Sequence, residues 1–245
     1  MTRGPAVHQP APHRRAKMAL LLRERSRPPA RAWAGGELVL AGALMTAGLE
    51  GYTPYGSTPW LLAVAAVWLW WRGPGWRAIG LRRPESWVRV LIVGIAVGLG
   101  YQFISLYAIE PLVARMTSTQ LPDVSNFSSV VGDKRQLAFW LLMSWTAAAF
   151  AEEAVYRGWL TTRIAELGRF SSGAWAAAVI SSSVLFGIAH FYQGASGMIA
   201  TGLTGLVLAC VYVATGRNLW ASILAHGVMD TTGFLMIYLG VYPGV

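Results

Sequence analysis

The sequence predicts an all-α, polytopic membrane protein with about seven transmembrane helices around a polar intramembrane cavity. Of its 245 residues, 55% are hydrophobic and only 13% are charged, whereas soluble domains carry about 25% charged residues. The apolar runs are rich in Ala and Leu and lack the alternation that a transmembrane β-barrel requires. A few acidic and histidine residues interrupt the later runs, and they are the candidates for function.

Residues 1–35 are predicted to form a basic cytosolic tail, because they contain eight of the twenty Lys and Arg together with several prolines. The stretch AKMALLLRER, residues 16–25, is expected to form a short helix on the membrane surface. Residues 36–245 form the predicted membrane domain, with a motif-bearing core at 137–239.

Seven apolar segments follow the tail, judged against the roughly 20 residues that one helical crossing needs. The first segment is short, and its helix could start earlier, near Ala32. The segments are Glu37–Leu49, Thr53–Trp71, Trp87–Ile109, Leu137–Trp159, Ala174–Phe191, Gly197–Ala214 and Leu219–Leu239.

The basic residues predict the orientation of these crossings. Seventeen of the twenty Lys and Arg fall on alternate connections, and the other three are Arg115, Lys134 and Arg135. By the positive-inside rule, the N-terminus is cytosolic and the C-terminus lies outside. The formal net charge of +9 is therefore assigned to the membrane orientation, and the predicted partners include the lipid bilayer but no nucleic acid. The Arg-, Ala- and Trp-rich composition suggests a prokaryotic cell membrane.

Two further features concern a long connection and the packing of two helices. The long outer connection, Glu110–Gln136, either covers the mouth of a cavity or is a solvated loop. Gly94 and Gly98 form a pair of small residues four apart, which predicts close packing of two helices.

Two adjacent carboxylates interrupt the fourth segment, within AAAFAEEAVYRGWLTTR, residues 147–163. A charge at the bilayer centre costs roughly 2.5 to 3.5 kcal/mol on insertion scales, so these acids require partners or a function. Residues four apart share a helix face, so Glu153 faces Arg157 and the two charges can neutralise each other. Glu152 has no cation on its own helix, which makes it the candidate general base. The alternative is a purely structural ion pair beside a second acid.

Two later segments also carry polar residues. His190 ends the run SSSVLFGIAHF and is either a catalytic group or a hydrogen-bonded residue at a helix end. His226 and Asp230 are four apart on one helix face, where a carboxylate can fix the tautomer of a histidine. With a rise of 1.5 Å per residue, these side chains reach similar depths only if the fourth helix continues beyond Arg157 to about Leu167.

Together, Glu152-Glu153-x-x-x-Arg157, Phe186-x-x-x-His190 and His226-x-x-x-Asp230 resemble the three motifs of the CAAX protease and bacteriocin-processing (CPBP, or Abi) family. The stretch AIGLRRPESW, residues 78–87, is similar to a segment that often precedes a membrane helix in that family. The resemblance covers residues 137–239 and extends only loosely to the first two crossings.

The resemblance implies an intramembrane endopeptidase with a helical core open to a water-filled cavity. Glu152 would be the general base that activates water, and His190 would assist it. Glu153 and Arg157 would hold the site, and His226 with the residue at position 230 would stabilise the oxyanion.

Asp230 departs from the eukaryotic members of this family, which carry Asn at the corresponding position. An ionised Asp cannot donate a hydrogen bond, so either Asp230 is protonated or it orients His226 and leaves that histidine as the donor. The side chains of Glu152, His190, His226 and Asp230 would also be an acceptable zinc ligand set. We favour water activated by glutamate without a metal, because HExxH is absent and the zinc ligands would come from three separate helices.

The sequence therefore predicts a peptidase that hydrolyses a peptide bond in a membrane-associated protein or peptide. Two alternatives use the same intramembrane polar residues. A membrane transporter would use them as a relay and predicts an internal repeat or broken helices in matching halves, neither of which is found. A non-catalytic membrane scaffold would bind a partner without turnover.

Overall fold

The structure, a computed structural model, describes residues 30–73 and 75–243. Within these ranges it contains seven long helices and no β-strand, which confirms the all-α prediction for this part of the chain. The surface helix predicted at residues 16–25 lies outside the described residues, and the first helix begins at Ala30, earlier than the predicted start of the membrane domain at residue 36. The helices are α1, Ala30–Leu49; α2, Thr58–Arg72; α3, Trp87–Thr117; α4, residues 134–167; α5, Ser172–Ala189; α6, Gly194–Ala214; and α7, Leu219–Tyr238.

Several of these helices can cross a membrane. By length and composition, four helical stretches among the described residues qualify, namely Arg31–Leu49, Trp87–Thr117, Ser172–Ala189 and Phe191–Ala214. Helix α2 has only 15 residues, and α4 and α7 carry the acidic and histidine residues that lower their hydropathy. Large apolar side chains such as Val67, Trp70 and Ile92 are 60%, 83% and 63% exposed, as expected where lipid replaces water. The chain is an integral membrane protein, and seven crossings stay a prediction.

Helices α3 and α7 pack closely at the two glycines that the sequence singled out. A Cβ atom built on Gly94 would lie 2.7 Å from the side chain of Leu224, and one built on Gly98 would lie 2.7 Å from that of Val228. Neither position can accept a larger residue without movement, so the prediction of close helix packing is confirmed.

The segment before α3 determines where α7 begins. Gly80 has a φ of +99°, which favours glycine, and a Cβ atom there would lie 2.6 Å from the carbonyl oxygen of Arg217. The Gly80 carbonyl accepts a hydrogen bond from the Leu219 amide over 3.0 Å. The neighbouring carbonyl of Ile79 accepts one from the Tyr212 hydroxyl over 3.1 Å. These contacts hold the first turn of α7, the helix that carries His226.

Helix α4 runs without a break from residue 134 to residue 167. Its middle part, Ser144–Leu160, is π-helical, and it continues directly from Lys134–Met143 and into Thr161–Leu167. π-Helical turns are rare and are often found at functional sites. The continuation to Leu167, on which the prediction of one shared site depended, is therefore present.

A buried carboxylate in α1 links the first two helices to α4. Glu37 accepts hydrogen bonds from Arg72 over 2.7 Å and from the indole of Trp159 over 2.9 Å. Because Trp159 lies on α4, this contact connects α1 and α2 to the helix that carries the paired glutamates. Sequence analysis did not identify Glu37 as a buried residue with partners.

Candidate active site

Glu153 and Arg157 form the predicted ion pair. The Nη1 atom of Arg157 lies 3.0 Å from Oε1 of Glu153, and the two side chains are 1% and 0% exposed. A buried charge needs such a partner, because breaking the pair leaves the other charge without compensation. The pair lies in the π-helical part of α4, one turn apart on the same face.

His226 connects α7 to both glutamates of α4. Its Nδ1 atom lies 3.0 Å from Oε1 of Glu153. Since a carboxylate accepts hydrogen bonds, Nδ1 carries the proton and is the donor of this hydrogen bond. Its Nε2 atom faces the other way, 3.9 Å from Oε2 of Glu152 and 3.7 Å from Oδ1 of Asp230. One ring nitrogen of His226 therefore contacts Glu153 of the Glu153–Arg157 pair. The other lies beside the carboxylates of Glu152 and Asp230.

The position of Asp230 bears on the two roles considered for it. Its carboxylate lies 3.7 Å from Nε2 of His226, which is beyond hydrogen-bond distance. His226 instead donates the hydrogen bond that orients it, from Nδ1 to Glu153 on the neighbouring helix. The spacing of four residues brings Asp230 near His226, but the contact between α4 and α7 decides which carboxylate binds the ring.

His190 lies at the end of α5, one turn from Phe186. Its Nδ1 atom is 2.8 Å from the Phe186 carbonyl oxygen, so Nδ1 is the donor and Nε2 of the neutral ring is an acceptor. Among the described residues, it makes no hydrogen bond or ion pair with the acids of α4 or with His226. It lines the same cavity as Glu152, His226 and Asp230.

Phe186 lies at the centre of this group, and sequence analysis used it only as the spacing partner of His190. The guanidinium carbon of Arg157 lies 4.1 Å from the centre of the Phe186 ring, a cation–π contact. The ring centres of His190 and His226 are 4.7 Å and 6.0 Å from it. Phe186 therefore positions the ion pair and both histidines relative to one another.

A cavity of about 660 Å³ lies between the helices, and Glu152, His190, His226 and Asp230 line it. Glu153 and Arg157 are not part of its wall, so the two adjacent glutamates have different surroundings. An aromatic cluster of Phe127, Trp140 and Phe234 forms another part of the wall, with ring centres 4.9 to 5.8 Å apart.

The connection predicted at Glu110–Gln136 is shorter in the structure, because α3 continues to Thr117 and α4 begins at residue 134, and it contributes to the same cavity. Pro122, Val124 and Phe127 of this connection are lining residues. It is attached to the α5–α6 region, because the carbonyl of Gln120 accepts a hydrogen bond from Ser196 over 2.5 Å. Of the two interpretations of this connection, the structure favours a cover over the cavity.

Glu152, His190, His226 and Asp230 are the four residues considered as zinc ligands. Among residues 30–73 and 75–243, no group of three or more His, Cys, Asp or Glu side chains is arranged so that it could hold a metal ion. A reaction without a metal stays a prediction, and no step below is derived through a metal.

The comparisons with known proteins support the motif-based resemblance. Residues 134–232 match the family model of the type II CAAX prenyl endopeptidase Rce1-like proteins. This segment belongs to the CAAX protease and bacteriocin-processing family. No curated protein and no solved structure matched the chain.

The matched CPBP segment contains every motif residue named above, from Glu152 to Asp230. The match supports a peptidase of the CAAX type, with a peptide or protein substrate and a membrane context. It does not favour the transporter or the scaffold.

Proposed function

We propose that the protein is an intramembrane endopeptidase that hydrolyses a peptide bond in a membrane-associated protein or peptide, with Glu152 as the general base. The observation that supports this role is the difference between the two adjacent glutamates. Oε1 of Glu153 is bound by Arg157 and His226. Glu152 lines the cavity and accepts no hydrogen bond from the described part of the chain.

In the first step, Glu152 removes a proton from a water molecule as the water oxygen bonds to the carbonyl carbon of the scissile peptide. The carbonyl electron pair moves to the oxygen, which becomes an oxyanion. His226 in its protonated form donates from Nε2 to this oxyanion, because Nδ1 is engaged by Glu153. In this step Glu153 keeps the ring of His226 in place.

In the second step, Glu152 passes its proton to the amide nitrogen as the carbon–nitrogen bond breaks. The products are a carboxylic acid and an amine, and Glu152 returns to its starting state. His190 assists by accepting a hydrogen bond from the attacking water at Nε2, since its Nδ1 is bonded to the Phe186 carbonyl.

The charge distribution, the composition and the cavity indicate the surroundings in which the reaction would take place. By the positive-inside rule the N-terminus is expected in the cytosol, so the connection between α3 and α4 that lines the cavity would lie on the other side of the membrane. The composition suggests a prokaryotic host. The substrate would enter a cavity with an aromatic wall on one side and the polar residues of α4 and α7 on the other.

A cleavage assay with one isosteric variant tests the proposal. Wild-type protein, purified in detergent, is incubated with a library of membrane-associated peptides, and the products are identified by mass spectrometry. Glu152→Gln is expected to abolish cleavage with an unchanged unfolding midpoint. Glu85→Gln, the same substitution at an exposed residue before α3, serves as the matched control. Full activity of Glu152→Gln would rule out the proposed mechanism.

A further inference from the structure

Glu110 is a buried carboxylate that the reaction above does not use. It lies in α3, only 9% of its surface is exposed, and Oε1 accepts a hydrogen bond from the Ser105 hydroxyl over 2.9 Å. Its other oxygen, Oε2, accepts no hydrogen bond from the described residues. Glu110 lines the same cavity as Glu152.

Glu110 differs from the other buried glutamates in having no cationic partner in residues 30–73 and 75–243. Among the residues that the structure describes, no Arg, Lys or His lies within ion-pair distance of it. The other buried glutamates in this part of the chain each have an arginine partner: Glu37 with Arg72 at 2.7 Å, Glu153 with Arg157 at 3.0 Å and Glu166 with Arg163 at 2.7 Å.

Four other residues on the wall of this cavity lie on α3, on α7 or in the turn after it. Gln102 and Ser105 come from the helix of Glu110, and Gly233 and Tyr242 come from α7 and the turn after it. All four are uncharged. A carboxylate buried in a membrane protein without a partner is costly and usually marks a functional position.

The local backbone directs this carboxylate into the cavity. Residues Ser105–Ile109 form a π-helical turn immediately before Glu110. This turn allows the hydroxyl of Ser105 to reach a carboxylate five residues later. One carboxylate oxygen is thereby held in place, and the other is available to a ligand.

We propose that Glu110 is a specificity-determining residue that binds a nitrogen cation of the substrate, either a Lys or Arg side chain or a free N-terminal amine. The inference rests on the proposed endopeptidase function, since the ligand is part of the peptide that Glu152 acts on. The cation would supply the partner that the described part of the chain does not provide.

The helix geometry indicates where on the substrate this cation lies. Gly98 packs against Val228, and a Cβ on Gly233 would lie 3.5 Å from Gln102, so α3 and α7 run side by side in the same direction. With a rise of 1.5 Å per residue, Glu110 lies about 15 Å further along this axis than Asp230. An extended peptide covers 3.3–3.6 Å per residue, so this span corresponds to about four or five residues. With the scissile bond taken at the level of Asp230, the cationic group is expected about four or five residues from that bond.

Binding is measured separately from cleavage, on protein that carries Glu152→Gln. The probes are ten-residue peptide pools in which each position in turn is Lys, Arg or the uncharged norleucine, with the N-terminus free or acetylated. Lys or Arg at one position, or a free N-terminus, is expected to tighten binding by about tenfold or more over its uncharged counterpart. A preference that requires the free N-terminus identifies the amine, and one that survives acetylation identifies a side chain.

When Glu110→Gln is added, the cationic peptide is expected to bind no more than about twofold more tightly than its uncharged counterpart. When Glu85→Gln is added instead, the original preference should persist. Glu110→Asp keeps the charge and should retain a weaker preference, which guards against a folding defect in Glu110→Gln. No preference for a cation, or one that survives Glu110→Gln, overturns the inference. Failure of the endopeptidase function appears separately, as an absence of cleavage by protein with intact Glu152.

Discussion

The Nδ1 atom of His226 donates a hydrogen bond to Oε1 of Glu153 over 3.0 Å. The same oxygen lies 3.0 Å from Nη1 of Arg157. One carboxylate oxygen thus binds a cation on its own helix and a histidine on α7. Oε1 of Glu153 is engaged by both contacts, and Glu152 is the adjacent acid that lines the cavity.

Glu153→Gln is expected to lower the free energy of unfolding by about 3–5 kcal/mol, because Arg157 then remains buried without a counter-charge. The double variant Glu153→Leu with Arg157→Met should lose less stability than Glu153→Gln, since it buries no unpaired charge. Denaturant unfolding in detergent micelles measures both. Glu85→Gln, at an exposed position, should change stability by no more than about 0.5 kcal/mol. A Glu153→Gln protein as stable as the wild type would contradict the importance of this pair.

His226→Asn is expected to lower kcat by about 10²- to 10³-fold, because it removes the Nε2 donor to the oxyanion. The Asn amide can still donate to Glu153, so the unfolding midpoint should change little. Steady-state kinetics on a peptide cleaved by the wild type measure the loss. An unchanged kcat would show that Nε2 does not contact the transition state.

Gly98→Ala is expected to destabilise the protein by about 1–3 kcal/mol, because the new methyl group overlaps Val228 of α7. Gly100→Ala is the matched control on the same helix, since nothing lies within 4 Å of a Cβ built there. It should be neutral or stabilising by up to about 1 kcal/mol. Equal effects of the two substitutions in unfolding experiments would argue against close packing at Gly98.

Trp159→Phe is expected to cost about 2 kcal/mol, because the buried carboxylate of Glu37 loses the indole donor at 2.9 Å. Trp60 provides the comparison, since its indole donates to the Pro54 carbonyl at an exposed position. Trp60→Phe should cost less than about 1 kcal/mol, because water can replace that hydrogen bond. A similar loss for both variants would show that the contact with Glu37 is not the cause.

Cleavage is expected to continue, within about twofold, after treatment with a strong chelator. The proposed reaction uses Glu152 to remove the proton from water, and no step is routed through a metal. The assay compares wild-type protein before and after chelation and then after addition of zinc. Loss of activity that zinc restores would overturn the metal-free mechanism.

The parts of the fold and site that could be predicted from the sequence have short-range causes. The Glu153–Arg157 pair follows from a spacing of four residues on one helix, and the packing at Gly98 follows from residue size. The helical segments follow from hydrophobic runs long enough to cross a bilayer. The three motifs could be assigned to one family because they occur in order on successive helices.

Contacts between helices were not accessible to the same reasoning. Asp230 was expected to be a possible orienting group for His226 because it is four residues away, yet Glu153 makes that hydrogen bond from another helix. The burial of Glu37 against Trp159 depends on how α1 lies on α4. Both contacts join residues that are far apart in the sequence, so no spacing pattern reveals them.

The sequence by itself determined that this is a helical membrane protein with a glutamate-, histidine- and arginine-containing motif set of the CPBP type, because hydropathy and helical spacing are local properties. Only the tertiary structure decided how the charges are paired. It adds His226 to the Glu153–Arg157 pair, brings Glu152 and Asp230 to the wall of one cavity, and leaves Glu110 on that wall without a cation from the described residues. The physical reason is that these pairings depend on which helix faces meet, and the packing of all the helices together sets those faces.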